Sequence, residues 1–327
     1  MKKFVSALIL ATAVSFSGCG NSTDFASAAS LPVVVDPAVP VPVPDPVPAP
    51  PVAVDGFFVD AVAGSDTTGN FTGGLPFQTI QMAVNVAPDG ATITVRPGSY
   101  PEQINLQNNQ TLQGEAGGVR PQLTGPIFLG DGNTVDFLAI SGTPGNDDAI
   151  DGSGQDSGTV TNCDIRDITG ISAGFDAPSA TGTWNISNNT FDNIEVLGIA
   201  LASDTGDNLT ATINNNVITN MGEGAIGFTA GQDAVMNVQI QGNTMTGTIN
   251  PGATFQVFSG DTSTFCADIT GNTNDDTYQF GLIAVDTSVV NVEEFTQLTT
   301  LNSGGAVVDF VGGSRPVTDV VDGTCGF

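Results

Sequence analysis

The sequence predicts an all-β chain wound into a solenoid, and two observations carry that expectation. The first is a register of four segments, Ile186-Ser-Asn-Asn189, Ile213-Asn-Asn-Asn216, Ile240-Gln-Gly-Asn243 and Ile269-Thr-Gly-Asn272, whose last asparagines are 27, 27 and 29 residues apart (216−189, 243−216, 272−243). The second is a shared pattern downstream of those asparagines. Nine residues after each one stands a small residue, Gly198, Ala225, Gly252 or Gly281, and then apolar Ile199, Ile226, Ala253 or Leu282. A period of this size marks stacked units that each bury their apolar face only against their neighbours.

Two segments precede the repeat. Met1-Lys-Lys-Phe-Val-Ser-Ala-Leu-Ile-Leu-Ala-Thr-Ala-Val opens with two lysines, continues as an apolar run too short to span a bilayer, and reaches Phe16-Ser17-Gly18-Cys19. That is the pattern of a secretory signal. The last four residues resemble the bacterial lipobox, although Phe16 stands where that motif has an aliphatic residue. The resemblance implies cleavage after residue 18 and a diacylglycerol on Cys19, so residues 1–18 are expected to be a lipoprotein signal peptide and the membrane to be a partner through that lipid. Gly20 and Asn21 come next, with no Asp beside the cysteine. In lipoproteins of this kind an Asp there marks inner-membrane retention, so the expectation is the outer membrane or cell surface. From Pro32 to Val54 the chain contains only Pro, Val, Ala and Asp. Proline at this density fixes φ, removes backbone donors and favours an extended polyproline II rod. Residues 19–55 therefore read as a lipid-anchored, proline-rich tether.

Residues 56–327 are long enough for one domain with a continuous core. Once Lys2 and Lys3 leave with the signal, four arginines (Arg96, Arg120, Arg166, Arg315) face 34 acids, a formal charge of −30 (4−34). Nucleic acid is thereby disfavoured as a partner, and cations are attracted, Ca²⁺ being the candidate cofactor. The chain has no histidine. The commonest general base and transition-metal ligand is thus missing, and catalysis would have to run on Asp, Glu, Arg, Tyr or a bound cation. Of the cysteines beyond Cys19, Cys266 and Cys325 both lie in the C-terminal part and form the candidate disulfide, closing the end of the solenoid. Cys163 occupies the repeat position that later units give to asparagine, which points inward, so it reads as a buried filler without the His partner a thiol nucleophile needs.

The start of the domain is more specific. Gly56-Phe-Phe-Val-Asp-Ala-Val-Ala-Gly-Ser-Asp66, Leu75-Pro-Phe-Gln-Thr-Ile-Gln-Met-Ala-Val84 and Pro88-Asp-Gly-Ala-Thr-Ile-Thr-Val-Arg-Pro-Gly-Ser-Tyr-Pro-Glu102 resemble the N-terminal signature of the pectin-lyase-like superfamily. The resemblance implies a right-handed parallel β-helix with a short N-terminal capping helix. Read from the residues, Phe77, Ile80, Ala83, Val84 and Ala87 fall on one helical face, which predicts an amphipathic helix over 77–87 stopped by Pro88. Ala91-Thr-Ile-Thr-Val95 alternates as a first strand and Pro97-Gly98 turns the chain.

Val160-Thr-Asn-Cys163 then lies one unit before Ile186-Ser-Asn-Asn189, and 135–140 belongs to the unit before that. Ile165, Phe191, Ile218 and Met245 recur five residues after each unit's first aliphatic and are expected to stack inward. Asn189, Asn216, Asn243 and Asn272 are expected to form a structural ladder at a turn, stacked amides bonding one another and the turn backbone. After Asp286 the period is lost, and 289–327 reads as final coils and a C-terminal cap.

Candidates for chemistry are few. Asp164 and Arg166 alternate outward around Ile165, with Asp192 in the Arg166 column of the next unit; a carboxylate and guanidinium on a flat face suit a polysaccharide contact, or simply pair with each other. Asp147-Asp148 resembles the adjacent aspartates of polygalacturonases, but that family also uses Gly-His-Gly and Arg-Ile-Lys, and the mature chain has neither His nor Lys. These aspartates read as part of a polar loop running through Asp151-Gly-Ser-Gly-Gln-Asp156, where Asp151 and Asp156 are the candidate cation ligands. Fold does not fix function in this superfamily. The sequence therefore supports a surface-anchored β-helix lipoprotein that binds glycans or cell-surface partners without catalysis, with a polysaccharide lyase, epimerase or hydrolase as the alternative.

Overall fold

The structure is a computed structural model and describes residues 56–69, 75–143, 147–247, 255–260, 262–275, 279–284, 288–303, 307–309 and 317–327. The expected signal peptide, Cys19, the tether, Gly252, Ala253 and Arg315 lie outside them. Within the described residues the strands form three sheets of eleven, nine and eight strands. Ser157–Thr161 belongs to the eleven-stranded sheet, Asp164–Ile168 to the eight-stranded and Phe175–Ala177 to the nine-stranded; Gly182–Ser187 then returns beside Ser157–Thr161 in parallel. One circuit is one rung. Parallel strands joined by crossovers wind right-handed, and the chain is a right-handed parallel β-helix.

The period-2 alternation of strands sends every other side chain inward, and register places like on like. Val135, Val160, Ile186, Ile213, Ile240 and Ile269 form one column. Ile140, Ile165, Phe191, Ile218 and Met245 form a second, and Ile127, Ile150, Phe175, Ile199 and Ile226 a third. All are buried, each contributing about 1.5–3 kcal/mol of apolar burial. Trp184 also sits wholly inside, its ring 5.5 Å from that of Phe175. Glycine is required beneath it, because a Cβ on Gly158 or Gly152 would meet the indole at 2.6 or 2.7 Å.

The corner between the eleven- and eight-stranded sheets explains the paired asparagines. Its first residue is left-handed, with φ of +53° at Asn162, +59° at Asn188, +57° at Asn215, +66° at Gly242 and +68° at Gly271. Asn and Gly are the residues that enter this region at least cost. The second residue points inward. Asn216 Nδ2 donates to the Ile186 carbonyl (2.8 Å) and to Asn243 Oδ1 (3.0 Å), while its own Oδ1 accepts from the Asn189 backbone N–H (2.9 Å) and Nδ2 (3.1 Å). The same pattern joins Asn243 to Asn272 and continues to Asn302, whose Oδ1 accepts from the Asn272 N–H at 3.0 Å and Nδ2 at 2.9 Å. Below Asn189 the column ends in Cys163, whose N–H donates to Asn189 Oδ1 at 2.8 Å.

Several sequence expectations need adjusting. The cap helix runs Ile80–Val86, not 77–87. Thr79 caps it, accepting from Met82 N, and the Glu102 carboxylate takes the Ile80 and Gln81 N–H groups at 2.8 and 3.0 Å, so the first-turn donors are satisfied from outside the apolar pattern. Phe77 is instead extended, bridged to Val59, although its side chain is buried with those of Ile80, Ala83, Val84 and Ala87. The first strand is Phe57–Val59, paired with Thr92–Val95; it is too short for alternation to reveal. Ile226 pairs with Phe255, and Phe255 with Phe280, so Leu282 aligns with Val257 and not with Ile226. Against ten residues from Asn189 to Ile199 and from Asn216 to Ile226, Phe255 stands twelve after Asn243 and Phe280 eight after Asn272, so the count fails by two in each direction. At the C-terminal end, Cys266 and Cys325 are joined by a disulfide (S–S 2.02 Å) spanning 59 residues of sequence.

Candidate functional site

The sequence candidates separate onto two faces. On the eight-stranded sheet, Arg166 Nε donates to Asp164 Oδ1 at 2.8 Å and Nη2 donates to the same oxygen. Asp192 lies beside Arg166 in register. Its carboxylate accepts from Thr219 Oγ1 and Asn220 Nδ2, both at 2.7 Å, and those bonds hold it below the usual carboxylate range. The bond from Asp164 in turn stabilises the guanidinium charge, so Arg166 is more firmly protonated than a free arginine. A guanidinium held protonated in this way takes up no proton and so is no general base.

On the nine-stranded sheet the structure assembles something different. Ile150–Asp151 is a strand, which interrupts the expected polar loop, and it pairs with Phe175–Ala177 so that Asp151 lies directly beside Asp176. Because Ile150 and Phe175 face inward, both aspartates face outward. Strands about 4.8 Å apart hold their carboxylates within mutual repulsion. Asp148 joins them from the preceding loop, its Oδ1 accepting from Ala173 N at 2.5 Å. Burial, then the charges of Asp148 and Asp151, push Asp176 up to about 6. Burial raises Asp148 too, against the Ala173 hydrogen bond. From Asp176 a shallow cleft of about 170 Å³ runs up the sheet past Ala200 and Gly227.

The remaining candidates stand apart. Asp147 is exposed, and Asp156 bonds Thr181 Oγ1 and, through its N–H, Asp131. Asp151 Oδ1 accepts from Ser153 N at 2.8 Å. Among the described residues no three carboxylates or thiols converge as a metal-ligand set. Cys163 is buried and its thiol is pushed up to about 12 by desolvation, far from the thiolate a nucleophile needs. Arg96 bridges Asp60 (3.2 Å) and Glu115 (3.8 Å) beside the cap.

Sequence reasoning missed Asp176. Its signal was present as the repetition of Ile150-Asp151 in Phe175-Asp176 one rung later, but the two rungs involved carry Leu138 and Cys163 where later rungs have the asparagine that sets the register.

No family model and no curated protein matches the chain. Two solved structures are similar to it. One is GH136 lacto-N-biosidase from Eubacterium ramulus, 10% identical, covering 78% of this chain and 67% of that one with a TM-score of 0.43. The other is pectate lyase Pel9A, 12% identical, covering 81% of this chain and 82% of that one with a TM-score of 0.46. The fold class stands on the register of this chain's own three sheets.

Proposed function

We propose that the chain is a surface-anchored β-helix lipoprotein that binds glycans without turning them over. The observation that carries this reading is the length of the polar sheet faces: outward columns continue in register over many rungs, offering repeated hydrogen-bonding groups along one axis. The state of Arg166, paired with Asp164 and flanked by Asp192, supports the non-catalytic half. Lipid on Cys19 and the proline-rich tether would hold the domain off an outer membrane.

A second reading has its own observation. Asp176, raised to about 6 beside Asp148 and Asp151, supplies carboxylates of unequal proton affinity. Glycoside hydrolysis uses such a pair, one as acid and the other as base or nucleophile. Calorimetry and product chromatography on the full chain with acidic and neutral glycans, with Ca²⁺ or EDTA, separate the two. Binding without products is expected. Turnover abolished by Asp148→Asn or Asp176→Asn would replace the first reading with the second. Radiolabelled fatty acid incorporated by the full chain and not by its Cys19→Ala variant is the result expected for the anchor.

A further inference from the structure

The outer face of the eleven-stranded sheet carries a central patch of hydroxyls and an amide without formal charge. Thr134, Thr159, Asn185 and Thr212 stand in one outward column. Thr161 and Ser187 stand in the next, paired rung to rung. Each is half-buried, Thr161 and Ser187 at the ends of their strands and the other four between inward-facing neighbours. Among the described residues, none of these six side chains has a hydrogen-bond partner.

The patch has edges. Toward the C-terminus the same columns close on themselves: Gln241 and Gln239 Nε2 donate to Asp268 at 2.7 and 3.3 Å. Toward the N-terminus Gln113 Nε2 donates to Thr94 Oγ1 at 3.2 Å. Asp136 borders it with its carboxylate accepting from Asn162 Nδ2 at 2.8 Å. These four rungs span about 14 Å at about 4.8 Å each, the first column running on without charge to Thr111 and Thr92, and columns two residues apart lie about 7 Å from each other.

Resting on the glycan-binding reading, we infer that this patch is the binding platform and that its ligand is an extended neutral glycan. Hydroxyls and an amide, each both donor and acceptor, match the hydroxyls of a sugar chain without a fixed direction. The mix of short hydroxyls and a longer amide suits a ligand whose polar groups are unevenly spaced. Charge decides between sugar classes. The patch offers no cation to a uronate, and a mature chain of −30 (4−34) repels a polyanion. The acidic face around Asp176 compounds that repulsion.

The test is calorimetry of the full chain at about 0.15 M salt with cellohexaose, laminarihexaose, mannohexaose and an oligogalacturonate. At least one neutral hexasaccharide is expected to bind, and the triple variant Thr159→Val, Thr161→Val, Thr212→Val to weaken it about tenfold. Valine keeps shape and strand preference, and an unchanged melting temperature verifies that the variant is folded. Arg166→Ala is expected to bind as the unaltered chain does. If the triple variant also keeps full affinity, the platform is elsewhere while glycan binding stands. If oligogalacturonate binds tighter than every neutral sugar, the neutral assignment is wrong. If no glycan binds, both this inference and the reading beneath it fall.

Discussion

The asparagine corner and the Asp151–Asp176 face stack like on like through the same rung geometry, with opposite consequences. At the corner each Oδ1 accepts from the rung before and each Nδ2 donates to a carbonyl of that rung and, up to Asn272, to the next asparagine's Oδ1, so Asn189, Asn216, Asn243, Asn272 and Asn302 are buried without leaving their Oδ1 or Nδ2 unmet. On the nine-stranded sheet Asp151 and Asp176 are aligned just as strictly. A carboxylate only accepts, so burial, then the like charges of Asp148 and Asp151, make Asp176 hold its proton more tightly. A solenoid multiplies whatever its register repeats. Side chains that are both donor and acceptor convert that multiplication into cohesion, whereas single-sign groups turn it into strain.

Four substitutions test this contrast, from the largest effect to the smallest. Asn216→Ala leaves the Ile186 carbonyl and the Asn189 N–H without partners in the interior. A loss of about 3–5 kcal/mol is expected in urea unfolding; a loss under about 1 kcal/mol would mean the ladder contributes little cohesion.

Asp176→Asn is expected to act in the other direction. The folded chain holds the Asp176 proton up to about 6, against 3.8 for the unperturbed group. Between those values the native state binds more protons than the unfolded one, so stability falls as pH rises through the window and levels off above it. The asparagine variant stays neutral throughout. It should gain about 1 kcal/mol at pH 7, discounted for partial exposure, and show a flatter melting temperature between about pH 4 and 6. An unchanged slope would place the repulsion elsewhere.

Cys163→Asn asks whether the ladder extends by one rung, with the new amide reaching the Val135 carbonyl that Cys163 Sγ now faces at 3.8 Å. A gain below about 1 kcal/mol is expected by thermal melting, and a loss would show the position too tight for an amide. Arg166→Ala, which removes a half-exposed ion pair, should change stability by less than about 0.5 kcal/mol; a larger loss would assign the Asp164 pair a structural weight its exposure does not suggest.

The sequence was most legible where the fold itself repeats. Ile186, Ile213, Ile240 and Ile269 align because each rung must bury an aliphatic at that point, and the left-handed corner admits little besides Asn and Gly, so both constraints are written as a period. Asn302 was not legible, since it comes after the helical turn Leu298–Leu301 in place of a strand and so breaks the pattern around it. The register shift at Phe255 was hidden for a related reason: connections between strands vary in length without disturbing the core, so counting residues fails there.

By itself the sequence determined the winding, the inward columns and the absence of histidine, because these depend on local alternation, turn conformation and composition. Only the tertiary structure decided that Asp148, Asp151 and Asp176 share one face while Asp164 and Arg166 pair on another, and which hydroxyls of the eleven-stranded sheet remain open. Those outcomes depend on which strand lies beside which across a circuit of some 25 residues (176−151). A shift of one residue would turn each of these side chains to the opposite surface.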